Sequence, residues 1–575
     1  MNSCLLLFLA LTALLLPECV GAQAALTSCL PYRWVWTMHN LAADTQVIQL
    51  QAVMRRAQAT GFNGIVLSDY KFNIIDRMDA HYFANVEKVK ATAKELGLDL
   101  YPTVCSIGYS NGLLAHDPNL AEGLPVKDAL FVARGGHVEL SPDPAAHLVN
   151  GDFMQFRGNT MTGWDFQDSP GKSSFVDSTA LHDGHPSLRW ENVGAADPQA
   201  GHGRIMQTVS VAPFRQYHLS VWAKTADLEA PEAVRALVLT PDGKSLTFGG
   251  EWHLEKTKDW SQYHLVFNSL ANRKILVYLG AWGGKGGRLW WNDARLEETG
   301  LVNVLRRPGC PLTVQGRDST LYTEGVDFAP IKDDRMGDVP WDSEFEAWHA
   351  PPALKILPKS RIKEGQNLRV SFYATVVPPG GQVTACLSDP KVDTLMRDEI
   401  TRLNTLFHPK GFFMSHDEIR IANWCETCAA RQETPGRLLA DNTRRCVVLI
   451  RAVSPKSHLF VWSDMFDPSH NAHADYYLVN GTWAGSWEGL ARDIAIVNWN
   501  QDKRKESLPF IAGRGHAQIL AGYYDGLPQS IRPWLDDANS LKVPGIKGVM
   551  YTTWGANYAD LEAFAQAAWG RKSLH

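Results

Sequence analysis

The stretch Gly411-Phe412-Phe413-Met414-Ser415-His416-Asp417-Glu418 is an apolar run that ends abruptly in two adjacent carboxylates. Such a run is typical of a buried parallel strand whose carboxyl end opens into a site. Neighbouring strand residues point to opposite faces, so Asp417 and Glu418 can serve one site only if the strand ends there. We therefore expect one acid over the mouth of the sheet and the other holding a neighbouring group. A solvated charge pair that caps the following helix fits this motif alone equally well.

Seven further runs of strand length accompany this one, and segments of helical periodicity lie between them, for example at 44–59 and 391–406. Alternating strands and helices predict a parallel sheet, and eight strands predict the α/β fold class with a closed (β/α)8 TIM barrel. The carboxyl ends of the strands carry the active site in such barrels. The other seven predicted strands lie at 32–39, 63–70, 98–105, 458–464, 493–500, 516–525 and 547–554.

Between the third and fourth strands the pattern changes to short segments in which apolar and polar side chains alternate, as at 217–223 and 274–279. This alternation predicts a β-sandwich (jelly-roll) domain that interrupts the barrel. The segment resembles the family 4/9 carbohydrate-binding modules. Members of that family bind sugars or only brace a neighbouring domain, and both roles stay open here. The matching pieces are Asn150-Gly151-Asp152-Phe153, Trp164, the stretch 182–189, the strand 217–225 and the stretch 290–296.

The chain therefore has five predicted parts. Residues 1–24 are a signal peptide, 25–147 the first part of the barrel, and 148–300 the inserted sandwich. Residues 301–389 are a connecting segment rich in Pro and Gly, and 390–575 are the second part of the barrel with the acidic motif.

The amino-terminal segment has the pattern of a secretory signal. An apolar stretch at 5–16 is followed by Pro17 and by Ala22-Gln23-Ala24, small residues typical of a cleavage site. No later segment is apolar enough to span a bilayer. We expect a secreted or periplasmic protein without a membrane span.

The amino-acid composition favours some classes of binding partner over others. The 575 residues include 56 basic and 61 acidic side chains without a basic run, which argues against a nucleic-acid partner. There are 20 Trp, several of them at predicted strand ends, where indoles commonly stack on sugar rings. The favoured partner is an oligosaccharide or polysaccharide.

Seven cysteines remain after the predicted signal, and Cys425, Cys428 and Cys446 follow the acidic motif closely. A zinc site would need a fourth ligand, and none stands at finger-like spacing. A local disulfide or buried free thiols are therefore favoured over a metal. We expect no cofactor, and the sequence leaves open a structural calcium ion in the sandwich.

Acidic, amide and aromatic residues recur at the predicted strand ends. Because these ends meet at one mouth, we expect a single site in which indoles face a sugar ring and polar groups bind its hydroxyls. For any single Trp, core packing is the commoner role. The expected substrate contacts are Arg33, His39, Asp69, His416, Trp462, Asp464, Trp499, Asn500, Tyr523, Tyr524, Asp525 and Trp554.

Glycoside cleavage ordinarily uses two carboxyl groups across the scissile bond. The seventh strand ends in Tyr523-Tyr524-Asp525, without the Glu that many barrel hydrolases use there as nucleophile. An adjacent Asp-Glu pair favours the substrate-assisted exception. In that mechanism the 2-acetamido oxygen of the substrate attacks the anomeric carbon, one carboxylate orients the amide, and its neighbour protonates the leaving oxygen.

The barrel resembles glycoside hydrolase family 20, the β-N-acetylhexosaminidases. That family places an Asp-Glu pair at the fourth strand, matched by 417–418, and a Trp-acid motif at the fifth, matched by 462–464. It also places a Tyr at the seventh strand and a Trp at the eighth, matched by Tyr523 or Tyr524 and by Trp554.

The resemblance implies roles for particular residues. Asp417 would polarise the acetamide, Glu418 would be the general acid/base in an apolar surround, and Arg33 would grip ring hydroxyls. Three features depart from the family: Ser415-His416 replaces its Gly-Gly, there is no room for its amino-terminal α/β domain, and the first strand lacks its longer signature with Arg and Asp.

Three functions follow as hypotheses. The first is a retaining, substrate-assisted glycosidase that cleaves terminal amino sugars from glycans. The second is a two-carboxylate glycosidase for sugars without a 2-acetamido group, with Glu418 as the acid and Asp464 or Asp525 as its partner. The third is a non-catalytic glycan-binding protein on a barrel scaffold.

Overall fold

The computed structural model describes residues 30–248, 252, 254–337, 345–378 and 381–570. The predicted signal peptide and Cys29 lie outside these residues. Among the described residues, no helix is both long and apolar enough to cross a bilayer.

Eight parallel strands close into a barrel, in sequence order around the ring. Their residues are apolar because both faces of each strand are covered, and the strand that precedes the acidic motif is buried at all four positions. The ring closes where the last strand pairs with the first, with Met550 opposite Trp34. The strands are β1 (Tyr32–Met38), β2 (Gly64–Ser68), β3 (Asp99–Val104), β4 (Gly411–Met414), β5 (His458–Trp462), β6 (Ile494–Asn498), β7 (Gln518–Tyr523) and β8 (Ile546–Thr552).

Large aromatic side chains fill the barrel interior. Trp34 packs against Tyr101 and Phe460, with ring centroids 4.4 Å and 4.6 Å away. Phe413 and Trp462 continue this packing toward the carboxyl ends of the strands, 4.9 Å apart. The barrel is therefore a packed core with a solid aromatic floor beneath its mouth.

Seven α-helices of nine residues or more surround the barrel within the described part of the chain. Side chains cap the starts of three of them: Asp79 accepts a hydrogen bond from the Tyr82 amide, Asp389 from the Lys391 amide and Thr434 from the Arg437 amide. The helices are α1 (Asp44–Ala59), α2 (Ala80–Leu96), α3 (Pro390–Phe407), α4 (Pro435–Val453), α5 (Arg504–Gly513), α6 (Ile531–Ser540) and α7 (Leu561–Trp569).

The prediction of a (β/α)8 TIM barrel is wrong. The structure contains an eight-stranded, all-parallel closed barrel, and the helical content of the whole structure is only 26%. The connection from β5 to β6 contains the short 3-10 turns Asp464–Phe466 and Ser486–Gly489 in place of an α-helix. The physical reason is composition: Pro468, Gly481 and Gly485 interrupt any helical period in this connection.

The inserted segment forms two antiparallel sheets that enclose an apolar core of their own. The alternation predicted from the sequence is present at the centre, where Val221 and Ala223 are buried between the sheets and Trp222 faces outward. One sheet has the strand order Lys258–Asn268, Gln216–Ala226, Arg288–Glu298, His185–Glu191 and Ser174–His182; the other has Val234–Leu239, Lys274–Trp282, His202–Ser210 and Phe166–Gln167.

The segment predicted to connect sandwich and barrel forms a sheet of its own. Asn367–Ala374 pairs antiparallel with Leu124–Arg134, which the sequence had assigned to the barrel. This pairing encloses a third apolar core, so the chain leaves the barrel soon after β3 and returns just before α3. The six strands are, in order, Leu321–Tyr322, Thr313–Gly316, Asn367–Ala374, Leu124–Arg134, His137–Leu140 and Leu354–Lys355.

Candidate active site

A cavity of about 750 Å³ opens at the carboxyl ends of the barrel strands. Asp417 and Glu418 line it together with the indoles of Trp36, Trp499 and Trp554. Since all eight strands are parallel, these side chains from β1, β4, β6 and β8 reach the same end of the barrel. Carboxyl groups and exposed ring faces thus meet in one concave site.

The backbone explains how two successive acids face one cavity. The strand β4 stops at Met414, and Glu418 has a φ of 49°, in the left-handed region. The strand alternation is therefore broken between Met414 and Glu418. The loop after β3 lies directly against the acid pair: a Cβ at Gly108 would stand 1.9 Å from the Asp417 carbonyl oxygen, so only glycine fits there.

Hydrogen bonds hold Glu418 in place. Its amide donates to Asp464 Oδ2 at 2.8 Å, and its Oε2 accepts from Arg420 Nη2 at 2.8 Å. The Tyr109 hydroxyl donates to the same oxygen. Glu418 consequently lies beside a cation, which corrects the apolar surround expected from the sequence. The chain turns after the acid pair, so a residue only two positions later folds back onto the carboxylate.

Asp417 has the more perturbed carboxyl group of the pair. Burial raises its pKa well above the usual range, and the nearby carboxyls of Asp464 and Glu418 raise it further. The group therefore keeps its proton at a pH where an ordinary aspartic acid is ionised. Two adjacent carboxyls in unlike surroundings, one holding a proton and one beside Arg420, are the arrangement needed for proton transfer.

Asp464 positions its neighbours. Burial raises its pKa, and its oxygens accept from the Glu418 amide, from Asn471 Nδ2 at 2.9 Å and from Trp499 Nε1 at 3.2 Å. These three donors occupy the carboxyl group. It thereby fixes both the acid-bearing backbone and a ring on the cavity wall.

Three indoles line the cavity, and a fourth, Trp462, packs against them from within the barrel. Trp462 is buried, with ring centroids 5.0 Å from Trp36, 6.2 Å from Trp499 and 5.7 Å from Trp554. Trp554 keeps 41% of its surface exposed. The indole N–H of Trp36 is buried without a hydrogen-bond partner among the described residues.

The end of β7 supports this wall. Asp525 accepts from the amides of Trp554 and Gly555 at 2.7 Å and 2.9 Å, and so fixes the loop that carries the exposed indole. Tyr524 packs inside the barrel, 6.3 Å from the Trp554 ring, and donates to the Ala521 carbonyl. Tyr523 points the other way and donates to Asp560 at 3.0 Å, so only one of the two predicted tyrosines faces the barrel interior.

The structure places Arg33 away from the site, which corrects its predicted role. Its Nε donates to the Gly61 carbonyl at 2.6 Å and its Nη1 to the Leu30 carbonyl at 2.8 Å. The residue lies near the start of β1, and the start and the end of a strand open on opposite ends of a parallel barrel. The sequence predicted the strand that carries Arg33, but it did not show at which end of the barrel this side chain lies.

Other predicted contacts support the site from behind. His39 is buried with its ring 5.7 Å from Tyr558, and burial lowers its pKa to about 4. His416 is buried against Asn442, with Nε2 3.1 Å from Oδ1. Asn500 donates to Ser507 Oγ at 3.0 Å and packs in the loop after β6.

Asp69 is the one predicted acid outside β4 that lines the cavity wall. It accepts from the amides of Leu41 and Lys71 and from the Tyr82 hydroxyl. Burial raises its pKa to about 6. Its hydrogen bonds fix the loops after β1 and β2.

The sequence did not reveal four residues at the site: Tyr109, Gln382, Glu399 and, in its role, Arg420. Gln382 donates to the carbonyls of Gly108 and Glu418, at 2.8 Å and 3.0 Å, and accepts from Arg420. It arrives from the end of the inserted region, so no strand pattern could place it. Arg420 could have been found, since it stands two residues after the acid pair.

Glu399 is a buried carboxyl group at the cavity wall, and its effect on stability can be tested. It accepts from Asn73 Nδ2 at 2.8 Å, and burial raises its pKa from 4.5 to about 8. The folded protein therefore retains a proton that the unfolded chain loses, so stability falls as pH rises from about 4.5 to about 8. Between about pH 5 and pH 9, the free energy of unfolding should fall by a few kcal/mol less in Glu399→Gln than in the wild type. Urea unfolding at both pH values measures this difference.

The matched control is Glu426→Gln, which changes an exposed carboxyl. Its free energy of unfolding should change with pH as that of the wild type does, because Glu399 and the other buried acids are unchanged in this variant. Equal losses in wild type and Glu399→Gln would contradict the burial of an ionisable group at this position.

Comparison with known proteins identifies the inserted domain. A family model described as a carbohydrate binding domain matches residues 145–278. No curated protein matches the sequence. The chain contains a carbohydrate-binding domain, as the sequence predicted. The match links this domain to glycans and does not extend to the barrel.

Solved structures resemble the chain weakly. One titled "CBM4 structure and function" is 15% identical and covers 26% of this chain and 99% of its own, with a TM-score of 0.20. A rhamnosidase from Novosphingobium sp. PP1Y is 11% identical, with a TM-score of 0.33. The match covers 95% of this chain and 59% of the rhamnosidase. TM-scores this low support no conclusion about activity.

The five-stranded sheet of the sandwich presents aromatic rings on its outer face. The His182 ring lies 4.4 Å from Trp222 and 5.3 Å from Trp260, and both indoles are partly exposed. Indole faces at this kind of surface suit the apolar face of a sugar ring. This second aromatic surface belongs to the matched carbohydrate-binding domain and lies outside the barrel cavity.

Proposed function

We propose that this protein is a glycoside hydrolase that releases terminal 2-acetamido sugars from glycans by substrate-assisted catalysis. The observation that carries the proposal is the shared cavity, which Asp417 and Glu418 line together with Trp36, Trp499 and Trp554. A pyranose stacks on indoles through its apolar face, and its acetamido group and glycosidic oxygen then need two separate carboxyls nearby.

In this proposal the acid pair carries one proton in total. Before substrate binds, the proton is on Asp417, whose pKa burial and the neighbouring carboxyls raise. Docking of the acetamido N–H on Asp417 requires an acceptor, so the proton moves to Glu418. Arg420 and Tyr109 hold Oε2 of Glu418, which leaves Oε1 to face the leaving oxygen.

In the reaction that follows, each bond that forms is matched by one that breaks. The acetamido oxygen forms a bond to the anomeric carbon as the glycosidic C–O bond breaks, and Glu418 gives its proton to the leaving oxygen. Asp417, now a carboxylate, stabilises the positive charge that develops on the amide. Water next attacks the anomeric carbon, gives a proton to Glu418, and opens the cyclic intermediate to the retained sugar.

The same geometry weakens the two-carboxylate alternative. Asp464 is occupied by three N–H donors, and Asp525 by two amides of the loop that carries Trp554. A nucleophile must have an oxygen free to attack the sugar. Neither of these aspartates is as well placed for that as the acid pair itself.

The deciding experiment uses a panel of aryl glycosides of matched sugars with a 2-acetamido or a 2-hydroxyl group. We expect aglycone release from the 2-acetamido members only, with inhibition by thiazoline mimics of the cyclic intermediate. Comparable release from 2-hydroxyl sugars would favour ordinary two-carboxylate chemistry. Binding of glycans without any release would favour a non-catalytic protein.

A further inference from the structure

Four metal-binding side chains meet beneath the loop that follows the acid pair. Cys425 caps the start of the short helix Glu426–Ala429, which contains Cys428; Cys386 precedes α3, and Glu122 follows β3 and its loop. All four are buried, and their ligand atoms lie within 4.8 Å of one another. They come from three distant parts of the chain, so the fold itself assembles the cluster.

The spacing of the ligand atoms matches a tetrahedron around one ion. Cys386 Sγ is 3.6 Å from both Cys425 Sγ and Cys428 Sγ. Glu122 Oε2 lies 3.6 Å from Cys425 Sγ and 3.8 Å from Cys428 Sγ. A zinc ion with Zn–S bonds of about 2.3 Å sets neighbouring sulfurs about 3.8 Å apart. The six cysteines in the described part of the chain are free thiols.

Surrounding groups already hold the carboxylate in a ligating orientation. Glu122 Oε1 accepts from the amides of Trp424 and Cys425 at 2.8 Å and 3.1 Å, which turns Oε2 toward the thiols. Hydrogen bonds of this kind orient metal ligands from behind.

Binding of a metal removes the thiol protons, so positive charge beside the ligands favours the bound state. Three thiolates and a carboxylate would bring four negative charges into the interior, which is very costly unless they are neutralised. The Arg307 guanidinium, buried beside Cys386 and Cys425 and held by the Asn119 and Ala121 carbonyls, supplies one positive charge. A divalent cation supplies two more.

We propose that Glu122, Cys386, Cys425 and Cys428 bind a structural zinc ion. Three soft thiolates with one oxygen ligand at tetrahedral spacing select zinc over calcium or magnesium. Four protein ligands leave no open position for substrate, so the ion would fasten the fold and take no part in the reaction. It would join the loop behind Asp417 and Glu418 to the chain after β3 and before α3. The proposal does not depend on the proposed glycosidase activity.

The test measures zinc in the full-length protein. Mass spectrometry of metals in the desalted wild type should give about one zinc per chain, and Cys386→Ser and Cys428→Ser should lose it. Glu122→Gln should weaken zinc affinity by at least about tenfold, because it removes a charged ligand. Cys446→Ser is the matched control: this buried thiol lies beside His416, outside the cluster, and its variant should keep the ion.

A second measurement needs no variant. Replacement of zinc by cobalt in the wild type should give the near-ultraviolet thiolate-to-cobalt absorption of a tetrahedral site, and a thiol-blocking mercurial should release the metal. Folded wild type that takes up neither metal would overturn the proposal. So would a disulfide joining any two of Cys386, Cys425 and Cys428 in the native protein, detected by peptide mapping.

Discussion

Glu418→Gln is expected to reduce turnover of a terminal 2-acetamido glycoside by about 10²–10⁴-fold, the usual contribution of a general acid. Glutamine keeps the shape of the side chain but has no proton to give to the leaving oxygen. The loss should be larger for an alkyl glycoside than for a nitrophenyl glycoside, because nitrophenolate leaves without being protonated. Steady-state kinetics on both substrates measures this difference.

Binding separates this loss from misfolding. The variant should bind a 2-acetamido sugar with an affinity close to that of the wild type, by calorimetry, because the indole walls are unchanged. Glu426→Gln, an exposed acid-to-amide change on the same segment, should retain full turnover. Wild-type turnover in Glu418→Gln would remove the general acid from our scheme.

Asp417→Asn should lower kcat on 2-acetamido substrates by about 10²–10³-fold, because an amide cannot stabilise the positive charge on the cyclising acetamide. The pH profile should change as well. An acid pair that works with one proton gives a bell-shaped wild-type profile, since both the doubly protonated and the fully ionised pair are inactive. The raised pKa of Asp417 sets one limb of that profile.

The variant should therefore lose that limb, and a change that only disturbed the fold would not move it. Asp502→Asn, on the exposed loop after β6, is the matched control and should keep the wild-type profile. An unchanged profile in Asp417→Asn, at any level of activity, would contradict the proton-sharing pair.

Sequence pattern was sufficient for the eight barrel strands, because each is an apolar run bounded by turns and buried on both faces. It was insufficient for the regular helical layer. The connection after β5 lacks a helical period, and only the structure shows 3-10 turns there. The third sheet was also missed, since Leu124–Arg134 and Asn367–Ala374 pair across more than two hundred residues, which no local pattern reveals.

The residues of the candidate site also fall into those that the sequence revealed and those that it did not. The residues found from sequence, such as Asp417, Glu418 and Trp554, stand directly at strand ends. Tyr109 belongs to the loop after β3 and Gln382 to the segment that returns from the insert, and their position at the mouth depends on tertiary packing. The cysteine cluster has the same origin, since Glu122 and Cys386 lie far from the Cys-x-x-Cys pair in the chain.

The most direct test is a crystal structure of Glu418→Gln soaked with a 2-acetamido glycoside. We predict a sugar ring stacked on an indole of the barrel mouth, with its acetamido nitrogen about 2.9 Å from an Asp417 carboxyl oxygen and its glycosidic oxygen against the residue at 418. Sugar bound only on the aromatic face of the sandwich, with the barrel cavity empty at saturating ligand, would contradict the proposed active site.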